Sequence, residues 1–225
     1  MVSAVVTDIE GTTTSLSFVK DVLFPYSRER MRAFIRLNSQ EPEVQDAIRE
    51  VAAEACISTE SDAICNQLLT WIDEDKKIKP LKTLQGLIWE QGYQQGDFYG
   101  HIYEDAYLRL SEWHTQGMTL GIFSSGSCKA QRLLFGHTPF GDLTPLFDFY
   151  FDTRIGMKQS PEAYLKIAAE MAFPPPSILF LSDIEAELDA ASSVGYKTVL
   201  LHRDTHQLPI NTNHQIARTF SEINP

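Results

Sequence analysis

The sequence has no long apolar run and only a few cysteines. No stretch approaches the ~20 consecutive apolar residues that a membrane-spanning helix needs, which argues against a membrane protein. The three cysteines, Cys56, Cys65 and Cys128, are an odd number and show neither close pairing nor the spacing of metal ligands. We therefore expect free thiols and a reducing compartment.

Basic side chains are also scarce. The chain has 19 basic and 30 acidic residues, and its formal net charge is −11. This charge argues against nucleic acid as the partner. The first apolar run begins at Ala4, so we expect no secretory leader and a cytoplasmic location. No feature of the sequence calls for more than a monomer.

The 225 residues are enough for one large domain, or for a core with a smaller inserted module. Residues 18–100 show helical spacing of apolar side chains and contain no good strand pattern. Within them we predict helical structure over Phe18–Leu37, interrupted at Pro25, which would either kink the helix or start a new one, and a helix with Ser61 as its N-cap. Gly92, Gly96 and Gly100 are expected to form a flexible return from this insertion.

From Tyr103 onward, strands and helices alternate along the chain. Such alternation predicts an α/β fold with a Rossmann-like parallel sheet that is covered by helices on both faces. The predicted strands after the first are Met118–Phe123, Leu146–Phe151, Ile178–Leu181 and Thr198–Leu201. The tail is predicted to be helical around Ile216–Ile223. The predicted domains are a core of residues 1–17 and 104–225, and an all-helical domain of residues 18–103 inserted after the first strand.

Two acidic residues follow the first predicted strand. Asp8 and Glu10 are two positions apart on an extended chain and therefore point to the same face. Ligands of open α/β sheets bind at the carboxyl ends of the strands, which is where this pair lies. Gly11 permits a sharp turn directly afterwards. Two carboxylates this close favour a hard cation such as Mg²⁺ between them, and Mg²⁺ usually accompanies a substrate phosphate.

Polar side chains also end three later strands: Ser124 with Ser125, Lys158 in the turn after the third strand, and Asp183. Each suits a phosphate ester as substrate. A carboxylate can attack phosphorus, hydroxyls and amides can hold phosphoryl oxygens, and a lysine can offset the transferred charge. The simpler alternatives are that the two serines form an ordinary turn and that Asp183 caps the next helix.

At these residues the chain resembles the haloacid dehalogenase-like phosphohydrolases. Their four motifs are matched in order by Asp8-Ile9-Glu10-Gly11-Thr12, Ser124, Lys158, and Asp183 with Glu187. It resembles more specifically the acireductone-forming enolase-phosphatases of methionine salvage, which also have glutamate two positions after the first aspartate. Further matching stretches are Phe18–Tyr26, Ile88–Tyr93, Gly100–Asp105, Ser124–Ser127 and Leu133–His137.

The resemblance implies the function of each site residue. Asp8 would be the nucleophile and a ligand of one Mg²⁺ per subunit, and Glu10 the general acid/base whose backbone carbonyl also binds the metal. Asp183 would be the third ligand, with Glu187 as supporting residue. Ser124 and Ser125 would bind the phosphate. Lys158 would pair with the phosphoryl group or the nucleophile.

The resemblance further implies the reaction. The family converts 2,3-diketo-5-methylthiopentyl-1-phosphate to its enol and then removes phosphate through an aspartyl-phosphate, which gives the acireductone. The helical insertion would be a cap that closes over the site and grips the methylthio tail. After Arg203, the sequence Asp204-Thr205-His206 departs from the Pro-Gly-Asn type of turn expected in the family.

Several points stay open at this stage. The base for enolisation is either Glu10 or a residue of the cap. The competing functions are a plain phosphatase for another small ester, a metal-independent dehalogenase and a non-catalytic interaction protein. Glu10 and the additional matching stretches favour the enolase-phosphatase, and the second acid and Asp183 argue against a dehalogenase.

Overall fold

The structure of the protein, a computed structural model, describes residues 2–203 and 211–225. The chain forms two compact units, one of Met1–Leu16 with Tyr99–Pro225 and the other of Ser17–Phe98. The departure expected at Asp204–His206 lies outside the described residues.

The first unit contains a six-stranded sheet in which every neighbouring pair is parallel. Its strands, in spatial order, are β3 (Phe149–Phe151), β2 (Thr119–Phe123), β1 (Ala4–Thr7), β4 (Ile178–Ser182), β5 (Lys197–Leu201) and β6 (Gln215–Ala217). Every residue of β1 and β4 is buried, as expected for central strands of a parallel sheet with both faces covered. The predicted α/β class with a parallel sheet is confirmed.

Four helices connect these strands: α6 (Glu104–Thr115), α7 (Cys128–Gly136), α8 (Pro161–Met171) and α9 (Glu185–Ser193). Helix α6 ends at Thr115 and is followed by Gly117, whose φ of 82° is the left-handed conformation that glycine adopts without strain. One hydrophobic core joins β1, β4, α8 and α9, with Tyr164 and Phe180 among its largest side chains.

One predicted helix and one predicted strand boundary differ from the structure. The predicted helix around Ile216–Ile223 is wrong, since Gln215–Ala217 form β6, followed by a 3-10 turn at Phe220–Glu222. The open edge of β5 provides backbone partners for residues 215–217, and this pairing outweighs the helical spacing of the apolar residues. Strand β3 begins at Phe149 rather than Leu146 because Thr144–Leu146 form a 3-10 turn.

The second unit is helical. Its main helices are α2 (Phe24–Leu37), α3 (Pro42–Ala55), α4 (Ser61–Asp73) and α5 (Lys79–Gln95). A short helix, α1 (Leu16–Phe18), and a π-helical turn at Val19–Leu23 precede α2. The core of this unit lies between α2, α3, α4 and α5 and includes Met31, Val51, Leu68 and Leu84.

Three local predictions in this part of the chain can be compared with the structure. Pro25 starts a new helix, which is one of the two outcomes predicted for it, because it lies in the first turn of α2, where its missing N–H has no cost. Ser61 is the first residue of α4, and Glu60 occupies the cap position. The glycines at 92 and 100 serve close packing rather than flexibility: a Cβ would lie 2.5 Å from the Phe98 ring at Gly92, and 2.1 Å from the Leu134 carbonyl oxygen at Gly100.

Within residues 2–203 and 211–225, no helix is long and apolar enough to cross a membrane.

Candidate active site

The carboxyl ends of three central strands coincide at one edge of the sheet. Thr7 at the end of β1 pairs with Ile122 of β2 and with Leu181 of β4. The register therefore brings Asp8, Ser124 and Asp183 to the same edge, as predicted from the parallel topology. The Asp8 amide donates a hydrogen bond of 2.8 Å to the Leu181 carbonyl, and Asp8 is 5% exposed.

Lys158 connects two buried carboxylates at this edge. Its Nζ lies 2.7 Å from Asp8 Oδ1 and 2.7 Å from Glu187 Oε2, and all three side chains are at most 10% exposed. The backbone of Lys158 is held in the turn before α8, since its carbonyl accepts a 2.6 Å hydrogen bond from Tyr164 Oη. Burial alone would lower the pKa of Lys158, but Asp8 and Glu187 raise it above its ordinary value. The ammonium is thus a fixed positive charge.

Glu187 contacts both Lys158 and the end of β4. Its Oε2 also accepts a 2.9 Å hydrogen bond from Ser182 Oγ, at the end of β4. Burial and the charge of Asp8 raise the pKa of Glu187, whereas Lys158 and Ser182 lower it. The contacts of Glu187 suit a residue that holds Lys158 in place.

Asp183 packs against the backbone of Gly11. A Cβ at Gly11 would lie 2.1 Å from Asp183 Oδ2, so any larger residue would displace this carboxylate. Gly11 also has a φ of 74°, which most side chains disfavour. Asp183 does not cap α9, because Ile184 occupies the cap position and no side chain makes a cap hydrogen bond there. The simpler alternative for Asp183 is therefore wrong.

The surroundings of Asp183 fit a bound cation. Its Oδ1 is buried and has no hydrogen-bond partner. Burial and the Asp8 carboxylate raise the pKa of Asp183 from 3.8 to about 7, because its negative charge is poorly compensated. Mg²⁺ provides such compensation and commonly binds through one or two carboxylates while it keeps several waters.

The predicted ligand set contains two carboxylate side chains and one backbone carbonyl. The described part of the chain has no group of three or more His, Cys, Asp or Glu side chains arranged to hold a metal ion. Glu10, which is predicted to contribute the carbonyl, is half-buried and pairs through its backbone with Thr14. This pairing belongs to a compact loop of residues 8–15, called the β1 loop below.

Ser124 and Ser125 follow β2. Ser124 is buried, and its Oγ accepts a 3.2 Å hydrogen bond from the Gly126 amide, while Ser125 is exposed. Ser127 caps α7 by accepting a 3.2 Å hydrogen bond from the Ala130 amide. The N-terminus of a nine-residue helix thus follows the two serines, which is an arrangement that favours anions.

Two side chains that the sequence reasoning missed hold this turn. Gln131 Nε2 donates hydrogen bonds of 2.8 Å to the carbonyls of Gly126 and Phe151. Asp152 is buried and accepts a 3.2 Å hydrogen bond from the Cys128 amide. Burial would raise the pKa of Asp152, but hydrogen bonds from Arg154 and Cys128 lower it to about 2. Asp152 directly follows β3, so the strand-end rule that marked Asp183 would also have marked it.

Arg203 was likewise not predicted to belong to this edge, although it closely follows β5. Its Nε donates a 2.6 Å hydrogen bond to the carbonyl of Thr12 in the β1 loop. Its guanidinium pairs with Asp105 at 3.1 Å. Its position two residues after the end of β5 is the feature of the sequence that could have predicted this placement.

In sum, direct contacts join Asp8, Lys158 and Glu187, and Asp183 lies against Gly11 beside them. The site thus contains buried ion pairs, a poorly compensated carboxylate and a helix N-terminus. Together these groups can bind a doubly charged ester, provide a nucleophile and stabilise developing negative charge.

The chain matches the haloacid dehalogenase-like hydrolase family model over residues 2–195. It is 58% identical over 205 residues to enolase-phosphatase E1 of Methylococcus capsulatus, with 91% of this chain and 90% of the relative covered. It is 51% identical over 223 residues to enolase-phosphatase E1 of Thioalkalivibrio sulfidiphilus, with 99% of each chain covered.

Solved structures share the fold. The crystal structure of the Unknown transcript 4 protein of Saccharomyces cerevisiae superposes with a TM-score of 0.84 at 31% identity, covering 99% of this chain and 100% of that one. The L-2-haloacid dehalogenase of Xanthobacter autotrophicus gives a TM-score of 0.55 at 17% identity, covering 92% of this chain and 80% of that one. The second likeness concerns the fold alone.

Proposed function

Because the chain belongs to the enolase-phosphatase E1 family of the haloacid dehalogenase-like hydrolases, we propose that it converts 2,3-diketo-5-methylthiopentyl-1-phosphate to the acireductone and phosphate. Membership of this family makes the protein a phosphatase. The substrate, the dependence on Mg²⁺, the aspartyl-phosphate and the place in methionine salvage are parts of the proposal.

In the proposed mechanism, Asp8 attacks phosphorus. The bond between phosphorus and the ester oxygen breaks, and Glu10 donates a proton to the departing oxygen. Water then attacks the phosphorus of the aspartyl-phosphate, with Glu10 accepting its proton, and the bond between phosphorus and the Asp8 oxygen breaks to release phosphate and the free carboxylate. Lys158 compensates negative charge on the phosphoryl oxygens, and Ser124, Ser125 and the following amides hold these oxygens.

Enolisation precedes these steps. Glu10 is proposed to accept the proton from the carbon next to the carbonyl. Asp8, Asp183 and the Glu10 carbonyl would hold Mg²⁺, which supplies Lewis-acid polarisation of substrate oxygens when bound.

The ion pairs of Lys158 carry the proposal. A buried ammonium 2.7 Å from Asp8 holds that carboxylate in position, and it places positive charge where a phosphoryl group would lie. Glu187, also at 2.7 Å, remains as a counter-charge of Lys158 when Asp8 becomes esterified and loses its own negative charge. This arrangement suits a nucleophile whose own charge is consumed during the reaction.

The protein is incubated with the diketo phosphate and Mg²⁺ while enol absorbance and phosphate release are followed together. We expect the enol signal to precede phosphate release, and excess chelator to abolish both. Phosphate release without an enol signal would indicate a plain phosphatase. Full activity in chelator would contradict the dependence on Mg²⁺.

Two further expectations complete the proposal. The helical region predicted as residues 18–103, which is compact over Ser17–Phe98, is proposed as the cap domain of the enzyme. The enzyme is proposed to act as a monomer, which light scattering coupled to gel filtration tests directly.

A further inference from the structure

The β1 loop is closed by its own backbone. The amides of Thr12 and Thr14 donate hydrogen bonds of 3.1 and 2.9 Å to the Ile9 carbonyl, and the Gly11 amide donates one of 2.8 Å to the Thr14 carbonyl. These bonds give residues 9–14 a compact shape. They do not fix the position of the loop relative to the sheet.

Further hydrogen bonds connect residues 12–15 of the loop to other parts of the same unit. Arg203 Nε donates to the Thr12 carbonyl at 2.6 Å, and the Tyr103 amide donates to the Thr13 carbonyl at 2.9 Å. Thr14 Oγ1 donates to the His101 carbonyl at 2.6 Å, and the Ser15 amide donates to His101 Nδ1 at 3.0 Å. Each of four consecutive residues is therefore held from outside the loop.

Arg203 is itself held rigidly. Its two terminal nitrogens lie 3.2 and 3.1 Å from the two oxygens of Asp105, which is the bidentate geometry that guanidinium favours. Its Cζ lies 3.9 Å from the centre of the Tyr103 ring, and the Arg203 side chain is 7% exposed. Asp105 Oδ2 also accepts a 2.7 Å hydrogen bond from the Phe220 amide.

A buried ion pair is weak evidence for stability, because removing two charges from water is costly. The conformation that this ion pair imposes on the Arg203 side chain is more informative about function. Here the third nitrogen of the guanidinium is directed at the loop that carries Asp8 and Glu10. A displacement of about 1 Å in a reacting group can lower a rate by 10²-fold, so a rigid support behind the loop has a functional value.

We propose that Arg203 and Asp105 are positioning residues of this enzyme: they fix the β1 loop so that Asp8 and the Glu10 carbonyl keep their reactive placement. The proposal rests on the proposed function for the identity of the reacting groups. It also accounts for the stretch Gly100–Asp105, to which the mechanism assigns no chemical step. Burial and Arg203 lower the pKa of His101, which favours the neutral ring that accepts from Ser15.

The test compares Arg203→Lys with a matched control, Arg109→Lys. Arg109 is a residue of α6 and donates hydrogen bonds of 3.2 and 2.6 Å to the Ile223 carbonyl, with a side chain that is 19% exposed. It contacts the C-terminal segment and other residues of α6, so it controls for the loss of a structural arginine. Lysine keeps the charge at either position but cannot reproduce the fork of contacts.

We expect Arg203→Lys to lower kcat for phosphate release about 10–100-fold, the usual effect of removing a support of a catalytic group. KM should change much less, since the substrate-binding groups remain. Arg109→Lys should keep kcat within about twofold of wild type, although its melting temperature should fall by a similar amount to that of Arg203→Lys.

Hydrogen exchange at the amides of residues 12–15 should be faster in Arg203→Lys than in Arg109→Lys. Asp105→Asn, which keeps an acceptor for Phe220, should show the same pattern in milder form and replaces Arg203→Lys if that variant does not fold.

The outcomes separate the two levels of inference. If the wild-type enzyme does not act on the diketo phosphate, the proposed function is wrong. The kcat values of wild type, Arg203→Lys and Arg109→Lys are then compared with p-nitrophenyl phosphate as the substrate. Equal kcat in Arg203→Lys and wild type, or equal losses in Arg203→Lys and Arg109→Lys, would overturn the positioning proposal. Unchanged exchange at residues 12–15 in both Arg203→Lys and Asp105→Asn would overturn it as well.

Discussion

Lys158 lies between two carboxylates that would otherwise repel each other, and the charge balance of the site depends on it. Replacing it with methionine keeps most of the length and removes the charge. Asp8, Asp183 and Glu187 would then share a buried region without a compensating lysine, and their negative charges would oppose a phosphoryl group.

We expect Lys158→Met to lower kcat for phosphate release by about 10²–10³-fold, as for the loss of one preorganised charge-stabilising group. The matched control is Lys166→Met, because Lys166 lies on the neighbouring α8 and its exposed Nζ donates to the Ile155 carbonyl. Steady-state kinetics of both variants make the comparison. Similar losses in the two variants would show that the lysine at position 158 has no special function.

Asp8 and Glu10 lie two residues apart, and their proposed functions differ between the two half-reactions. Asp8→Asn keeps an oxygen for the metal but replaces an anionic nucleophile with an amide, so phosphate release should fall by several orders of magnitude while enol formation slows less. The phosphorylated enol should therefore accumulate in single-turnover absorbance traces.

Glu10→Gln should slow both enol formation and phosphate release, so little of the phosphorylated enol should accumulate. Loss of both steps together in Asp8→Asn at high Mg²⁺ would contradict this division.

At the scale of elements, Asp152 links the end of β3 to the N-terminus of α7. It accepts from the Cys128 amide at 3.2 Å and from Arg154 Nε at 2.9 Å. Its carboxylate thus meets both a guanidinium and the positive end of a helix dipole. The helix that follows the two serines depends on this link for its position.

Asp152→Asn should lower the free energy of unfolding by about 1–2 kcal/mol near neutral pH, because the amide keeps an acceptor but loses the charge. The folded-state pKa of about 2 lies below the ordinary 3.8, so the native state binds fewer protons than the unfolded state between these values. The advantage of wild type should be complete above about pH 4 and should disappear as the pH falls to about 2. Urea titrations across this pH range measure the difference in the free energy of unfolding.

Asp142→Asn is the control, because this carboxylate lies at an exposed turn and accepts a 2.9 Å hydrogen bond from the Thr144 amide. It should lower the free energy of unfolding by less than Asp152→Asn does. An equal cost would contradict the link.

For the molecule as a whole, Asp183 makes global stability depend on pH in the opposite sense. Its pKa is raised from 3.8 to about 7, so the native state binds more protons than the unfolded state in this range. The free energy of unfolding of metal-free protein should receive a favourable contribution at low pH that is lost as the pH rises from about 4 to about 7. Asp183→Asn should remove this dependence. At pH 8, added Mg²⁺ should stabilise wild type more than the variant. Parallel pH profiles of the two proteins would contradict the expectation.

Sequence alone was sufficient for five strands of the sheet, for most helices and for the strand-end residues Asp8, Ser124 and Asp183. Buried parallel strands are short apolar runs, and their carboxyl ends must meet at one edge, so Asp8, Ser124 and Asp183 could be placed together before their contacts were known. The family could also be identified from local motifs, because the residues of each motif lie within a few positions of one another.

Tertiary structure decided what depends on distant partners. The helical spacing of the tail gave way to β6 because the edge of β5 supplies backbone hydrogen bonds, which no local pattern encodes. The pairing of Arg203 with Thr12 joins residues 191 positions apart, and Asp152, Gln131 and Asp105 likewise act through contacts made only after folding. The charge balance of Lys158 also belongs to this class, since burial and two carboxylates from different elements determine it together. Residue type shows what a side chain can do, whereas its partners, and therefore its pKa and orientation, exist only once the sheet and its loops have brought them together.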